Sequence, residues 1–254
     1  MSFAVSSITT YPIKGFVGQT QSAVQVEEKS LLPGDRQYAL SSGTAQSQSA
    51  PTDEWLKKAH FLQMMNCEAL AALSLHYDEA STLLRLTENG QTIYEGLLNQ
   101  AEDAQKLCLF TRDYLNLADT IAEPRLFCLK QGGFTDTKRP FVAFGNDASI
   151  ADFASRMGHA PDERRYRLNV MMTGMPAFAE LDLINHRARL GTAEFAFIEP
   201  VGRCAAIEVN PETAKREPHL VSEMTKAYGA ADMGVFAEIV KAGHFEIGDQ
   251  LQML

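Results

Sequence analysis

Leu83-Leu84-Arg85-Leu86-Thr87-Glu88-Asn89-Gly90-Gln91-Thr92-Ile93-Tyr94 carries the clearest structural instruction in the chain. Two apolar runs flank Asn-Gly, a pair that tolerates left-handed backbone and so favours the tight turn matching strand twist. The stretch predicts a β-hairpin. Similar short runs recur on both sides of it: Val5 to Tyr11, ending at Pro12; Ala23-Val24-Gln25-Val26-Glu27, alternating apolar with polar; and Gln37 to Leu40 after the turn Leu32-Pro33-Gly34-Asp35. Ser42 to Pro51 is polar and rich in Ser and Gln, which predicts a mobile loop. Further on, strands are expected at Leu168 to Thr173, Glu194 to Ile198, Ala205 to Val209, Val235 to Val240 and near Phe245-Glu246-Ile247. Many short strands with turns between them predict a barrel or sandwich.

Two helices interrupt that pattern. Ser149 stands three residues before Asp152, as at a capping-box start, and Ile150, Phe153, Ala154 and Met157 repeat at helical spacing up to Gly158. A second helix is expected over His219 to Tyr228, between Pro218 and Gly229. The segment from Asn99 to Glu123 gives neither a clear element nor a linker composition.

The chain has 254 residues, 45% of them hydrophobic and 22% charged, an ordinary globular composition with material for an ample core. A formal net charge of -9 argues against a nucleic-acid binder, whose footprint is basic. The start has no cationic leader or apolar signal core, and no apolar run reaches membrane-spanning length. A cytoplasmic protein without membrane or nucleic-acid partners is therefore expected. Cys67, Cys108, Cys128 and Cys204 are far apart and form no CxxC pair.

Four polar clusters fall at strand ends or turns, where functional residues collect. They are Tyr11-Pro12-Ile13-Lys14-Gly15, Pro33-Gly34-Asp35-Arg36-Gln37-Tyr38, Arg164-Arg165-Tyr166-Arg167-Leu168-Asn169 and Arg203-Cys204. If the strand begins by Arg167, period two puts Arg167 and Asn169 on one face. Arginine offers a planar fork that suits phosphate oxygens. Arg203 precedes Cys204, and a neighbouring cation lowers a thiol pKa. One soft thiolate with several cations, on an acidic protein, suits a ligand carrying phosphate and a thiophilic metal. A single thiolate makes a poor metal cage alone, so the cofactor would supply the other ligands.

These residues carry a resemblance. Ile8-Thr9-Thr10-Tyr11-Pro12-Ile13-Lys14-Gly15, with Gly34-Asp35-Arg36 following, resembles the N-terminal β-barrel module of MOSC (molybdenum cofactor sulfurase C-terminal) proteins. Arg165-Tyr166-Arg167-Leu168-Asn169-Val170 is similar to the family's R-F-R-x-N-I/V strand, and Arg203-Cys204 with Val209-Asn210-Pro211-Glu212-Thr213 to its R-C-x-x-T-x-V-D-P-x-T signature. Val235 to Val240 and Ile247-Gly248-Asp249 fit its closing strands.

The resemblance implies a molybdenum cofactor, molybdenum held by a pyranopterin dithiolene (molybdopterin), as in the mitochondrial amidoxime-reducing component. It makes Cys204 the metal ligand and catalytic residue. It places Lys14 and Arg36 near the cofactor phosphate, Arg167 and Asn169 at the pterin, Arg203 beside the metal ligand, and Ser149 in the same pocket at a helix start, where an anion is favoured. The implied activity is reduction of small N-hydroxylated compounds by oxygen-atom transfer. Because the chain ends without the iron–sulfur domain of some relatives, a separate electron-transfer protein is expected as donor. Gly15 stands where the family often has serine, Val201 where many members have a second cysteine, Ile207 in place of threonine and Asn210 in place of aspartate. The alternative is a non-redox carrier of the cofactor, or of sulfur as a persulfide on Cys204. Asp35 and Glu208 lie beside motif residues and are read as structural pairs rather than general acids. The expected architecture is mostly β (α+β), with few helices: a barrel-like module over residues 1–100 packed on a MOSC β-barrel over 101–254.

Overall fold

The structure is a computed structural model that describes residues 3–118 and 121–254. Met1 and Ser2, part of the start read as leaderless, and Asp119 and Thr120 of the unassigned segment lie outside the described residues. Sheet predominates, 34% strand against 24% helix, the mostly-β α+β class expected. Among the described residues no helix is long and apolar enough to cross a membrane.

The chain opens with β1 (Ala4–Thr10), β2 (Gln19–Gln21), β3 (Ala23–Val26) and β4 (Tyr38–Leu40), then a short helix α1 (Ala45–Ser49). β5 (Ser74–Asp78), β6 (Leu83–Glu88) and β7 (Gln91–Leu97) make a three-stranded sheet. Its second turn is the Asn-Gly pair, with φ of 50° at Asn89 and 77° at Gly90, both left-handed as that turn requires. Helix α2 (Ala101–Tyr114) packs on this sheet, and β8 (Leu126–Cys128) returns to pair with β4. The remainder runs β9 (Phe141–Asn146), α3 (Asp147–Met157), β10 (Val170–Thr173), β11 (Arg187–Leu190), β12 (Ala193–Gly202), α4 (Leu220–Tyr228), β13 (Asp232–Lys241), β14 (Gly243–Glu246) and β15 (Gln252–Met253).

An eight-stranded sheet, ordered β15-β11-β12-β13-β9-β10-β1-β2, dominates. β9 and β10 are parallel and joined through α3; the other pairings in it are antiparallel. The sheet curls: Leu251 N–H donates to Phe3 O at 2.8 Å and Val5 N–H to Asp249 O at 2.9 Å, bringing the approach to β15 against β1. In β12 the side chains of Ala193, Phe195 and Phe197 are buried while those between them are not, the period-two pattern of a half-buried strand. Phe144 lies edge-on to Phe195 and Phe197, with centroids 5.1 and 5.2 Å away, a favoured aromatic geometry at the centre of this core. A second core lies under the three-stranded sheet, built from Leu84 and Leu86 with Leu107 of α2.

Residue 100 does not separate the pairings. β1 and β2 belong to the large sheet, β3 pairs with β14, and β4 with β8. The Gln19 amide further ties the two sheets, accepting from Tyr77 N–H at 2.7 Å and donating to Tyr77 O at 3.0 Å.

Several local expectations are corrected. The segment read as a mobile loop contains α1, capped by Thr44, whose Oγ1 accepts from Ser47 N–H. Ala205 to Val209 is not a strand. Ala205–Glu208 forms a 3₁₀ turn, closed by Ile207 N–H to Cys204 O at 3.1 Å. Periodicity alone cannot separate so short an apolar run from a buried helical turn. Helix α3 starts at Asn146, which accepts from Ala148 N–H, so Ser149 is not its cap but lies inside the first turn. Arg167 precedes β10 with a left-handed φ of 53°, so it and Asn169 are not alternate residues of one strand face. Helix α2 fills a segment from which no element was expected.

Candidate functional site

Segments far apart in the chain converge on one cavity of about 230 Å³. Lys14 enters just after β1. Ile13 is buried and bridges to Tyr38, and Lys14 N–H donates to Tyr38 O at 2.8 Å, which fixes the backbone. Gly15 follows with φ of 84°, and a Cβ there would sit 2.4 Å from Leu62 O. Glycine is the residue this close approach permits, which accounts for the missing serine. Lys14 Nζ, 6% exposed as a residue, donates to Phe134 O at 2.7 Å and Asp136 Oδ1 at 2.8 Å. Burial, opposed by Asp136, leaves its pKa below the ordinary lysine value.

Arg36 and Arg167 are organised around one aromatic ring. Their guanidinium carbons lie 4.8 and 4.5 Å from the Tyr11 centroid, each within cation–π range. Tyr11 OH donates to Leu168 O at 3.0 Å, and burial pushes its pKa up to about 12. Arg36 pairs with Asp35, donates to Arg167 O at 3.3 Å, and is held by its own N–H to Tyr11 O at 2.7 Å. Arg167 donates to Phe16 O. Burial lowers the pKa of Arg167 to about 10, against the pull of Tyr11.

Arg203 and Cys204 close the cavity from the end of β12. Arg203 N–H donates to Ala231 O at 2.7 Å and Nη1 to Tyr166 O at 2.6 Å. Its Nε is buried with no hydrogen-bond partner, and burial lowers the pKa of the group to about 10. Cys204 is half-buried at the head of the 3₁₀ turn. That turn is pinned by Arg165, which donates to Ile207 O at 3.1 Å while paired with Glu217.

Lys14, Arg36, Arg167, Asn169, Arg203 and Cys204 thus share one cavity; Ser149 does not. Ser149 is fully buried, donating to Glu180 Oε2 at 2.7 Å and accepting from Phe178 N–H at 2.7 Å. Asn169 lines the cavity, but its amide also works inward, donating to Thr9 O at 3.1 Å and accepting from Ala143 N–H at 3.2 Å. It clamps β1 to β9. Asp35 and Glu208 are engaged in structural pairs: Asp35 with Arg36 and Tyr11 N–H, Glu208 with Arg216 and His219 N–H.

Sequence reasoning missed Lys58, Asp136, Arg139 and Arg165, which also line the cavity. Arg165 stood in a cluster already singled out; Lys58 and Asp136 have no local signal and meet only through the fold. Seven basic side chains therefore face one carboxylate, Asp136. Arg167 and Arg203 have no carboxylate ion pair among the described residues. Partly buried cations without counter-ions carry a desolvation cost, and a bound anion relieves it. Among the described residues no cluster of three or more His, Cys, Asp or Glu could hold a metal, so a metal at Cys204 would take its other ligands from a cofactor. Arg167 and Met64 also line a larger cleft of about 1100 Å³ between β1–β2 and β5.

Residues 135–252 match the model of the MOSC domain. No curated protein matches the chain. Among solved structures, the chain is similar to the YuaD protein of Bacillus subtilis, at 12% identity and a TM-score of 0.48, over 100% of this chain and 96% of that one. It is also similar to YiiM of Geobacillus stearothermophilus at 15% identity and YiiM of Escherichia coli at 10%, with TM-scores of 0.37 and 0.34. Each YiiM match covers 44% of this chain and 53% of that one, so the chain spans about half the length of YiiM.

Proposed function

We propose, from the premise that residues 135–252 form a MOSC domain, a family associated with molybdenum cofactor binding, that this chain holds such a cofactor with Cys204 as protein ligand to the metal. The residues present fit the group. Arg203 offers an orphaned buried N–H, Arg167 a second guanidinium without a carboxylate partner, and Cys204 a single soft donor at the same cavity. That juxtaposition carries the reading. The cavity alone is smaller than the 300–1,000 Å³ or so usual for small-molecule sites, and Arg167 and Met64 stand between it and the larger cleft.

The division of labour follows from the contacts. Arg167 and Arg203 would bind the anionic part of the cofactor, and Tyr11 orients Arg36 and Arg167 toward it. Asn169 holds the strands behind them, and Arg165 fixes the turn that presents the Cys204 thiol. When bound, the cofactor supplies two-electron redox chemistry, while the protein supplies orientation and electrostatics. The finer reading is a reductase of small N-hydroxylated compounds, supplied with electrons by a separate protein.

The test is metal and pterin content after expression in a host that makes the cofactor, beside Cys204→Ala. The expected result is about one molybdenum per chain in the parent and loss in the variant. An empty parent, with a control molybdenum enzyme loaded in the same host, sinks the reading. A loaded parent that fails to reduce hydroxylamines with any electron donor is a carrier.

A further inference from the structure

Among the described residues Asp136 is the one carboxylate lining a cavity that seven basic side chains also line. Its two oxygens serve two lysines, Oδ1 to Lys14 Nζ at 2.8 Å and Oδ2 to Lys58 Nζ at 3.1 Å. A carboxylate bridging two ammonium groups is the arrangement a phosphate oxygen pair would take up in its place.

The segment bearing Asp136 is built to let it go. It connects β8 to β9 without regular structure and is anchored at Phe134, which is fully buried and edge-on to Phe61 at 4.9 Å. Phe134 N–H donates to Arg36 O at 2.8 Å, and Gly133 lies so close to the Asp35 carbonyl that a Cβ would be 2.5 Å from it. Two residues beyond this anchor the chain emerges, and the Asp136 side chain is 53% exposed. If Asp136 swings out, Phe134 stays. Lys14 then keeps its bond to Phe134 O and turns its charge to whatever anion has entered.

We propose that Asp136 is a displaceable internal counter-ion: it occupies the lysine pair until a phosphate group of the ligand replaces it, and so sets the affinity of the cavity for that group. This rests on the proposed reading of the cavity as an anion site. Lys14 and Lys58 are the groups exchanged; Arg167 and Arg203 bind in either state. The device keeps a buried lysine compensated in the free protein and filters ligands, because weaker or singly charged anions compete poorly with a built-in carboxylate.

The probe is inorganic phosphate, titrated by calorimetry into the full chain and into Asp136→Asn. The variant should bind about tenfold more tightly or better, since one like charge has left the site. Its thermal midpoint without ligand should fall, and phosphate should raise that midpoint more than in the parent. Parent binding with no gain in the variant refutes the counter-ion role while leaving the anion site intact. Absence of phosphate binding in both proteins removes the anion site and the inference with it. Should Asp136→Asn not fold, a crystal structure of the parent in saturating phosphate decides. Phosphate on Lys14 with Asp136 turned away supports displacement; phosphate in the cavity with Asp136 still on Lys14 overturns it.

Discussion

Replacing Arg203 by methionine should stabilise the protein while weakening its hold on anions. Methionine keeps much of the side-chain bulk and removes the charge. Burial lowers the Arg203 pKa from 12.5 to about 10, a shift that at 1.36 kcal/mol per unit costs the folded state about 3 kcal/mol. The sign follows from linkage. The folded pKa is depressed below the unfolded one, so the penalty is fully present below about pH 10 and fades as pH rises toward 12.5. At pH 7 all of it applies. Against this, the variant loses the charge-assisted bond to Tyr166 O, worth roughly 1.5–3 kcal/mol. The net expectation is a gain of about 0–1.5 kcal/mol, or roughly 0–6 °C in Tm for a domain near this size. Urea denaturation of ligand-free parent and variant at pH 7 measures it, and phosphate titration should show weaker binding by the variant. A variant less stable than the parent by 1 kcal/mol or so would refute the reasoning, because Arg203 would then be a structural clamp.

Other perturbations probe separate parts of the argument. Glu180→Ala strands the donors of Ser149, Asn146 and Gly234 in a buried site and should cost about 2–4 kcal/mol in urea denaturation. Molybdenum content per folded chain should nonetheless stay unchanged, because this cluster lies outside the cavity. Gly15→Ala meets both a left-handed φ and the Leu62 carbonyl; a loss of about 2 kcal/mol or more is expected, with weaker phosphate binding as Lys14 shifts. Tyr11→Phe keeps the ring between Arg36 and Arg167 and should lose about 1 kcal/mol with the bond to Leu168 O, whereas Tyr11→Leu should also weaken phosphate binding. Burial alone would raise the Asp136 pKa, but Lys14 and Lys58 hold it at about 2. Its contribution to stability should therefore be complete above about pH 4 and disappear as pH falls toward 2, a slope that Asp136→Asn flattens.

How far the sequence reached depends on how local each feature is. The Asn89-Gly90 turn, the Gly158 and Gly229 helix ends and the alternation in β12 are short-range instructions, and each appears where the residues place it. Helix α2 was invisible because its apolar face, Leu107 and Cys108, is narrow and its first turn carries Glu102 and Asp103, so no periodic run stands out. The segment 205–209 misled because Ile207 is buried in a 3₁₀ turn and Val209 in the extended residue that ends it, rather than both in a strand. Ser149 misled for a related reason. A serine near a helix start suits an anion or a cap, yet a buried carboxylate from Glu180, 31 residues later, takes its hydroxyl instead.

The cationic cavity shows why motif residues alone understate such a site. Lys14, Arg36, Arg167 and Arg203 each stand in a short polar segment that reads as a solvated turn. Only the pairing of β1 with β10, of β12 with β13 and of β13 with β9 brings them within one volume. Once there, their charges cannot all be satisfied from within. Asp35 answers Arg36 and Asp136 answers the lysines, but among the described residues Arg167 meets the ring of Tyr11 and a carbonyl and no carboxylate ion pair, and Arg203 keeps an unpartnered Nε. A fold selected for stability alone would replace these two by apolar side chains, which buried ionic groups often tolerate or favour. Their presence beside a half-buried thiol is what the anionic, thiophilic ligand proposed above would use.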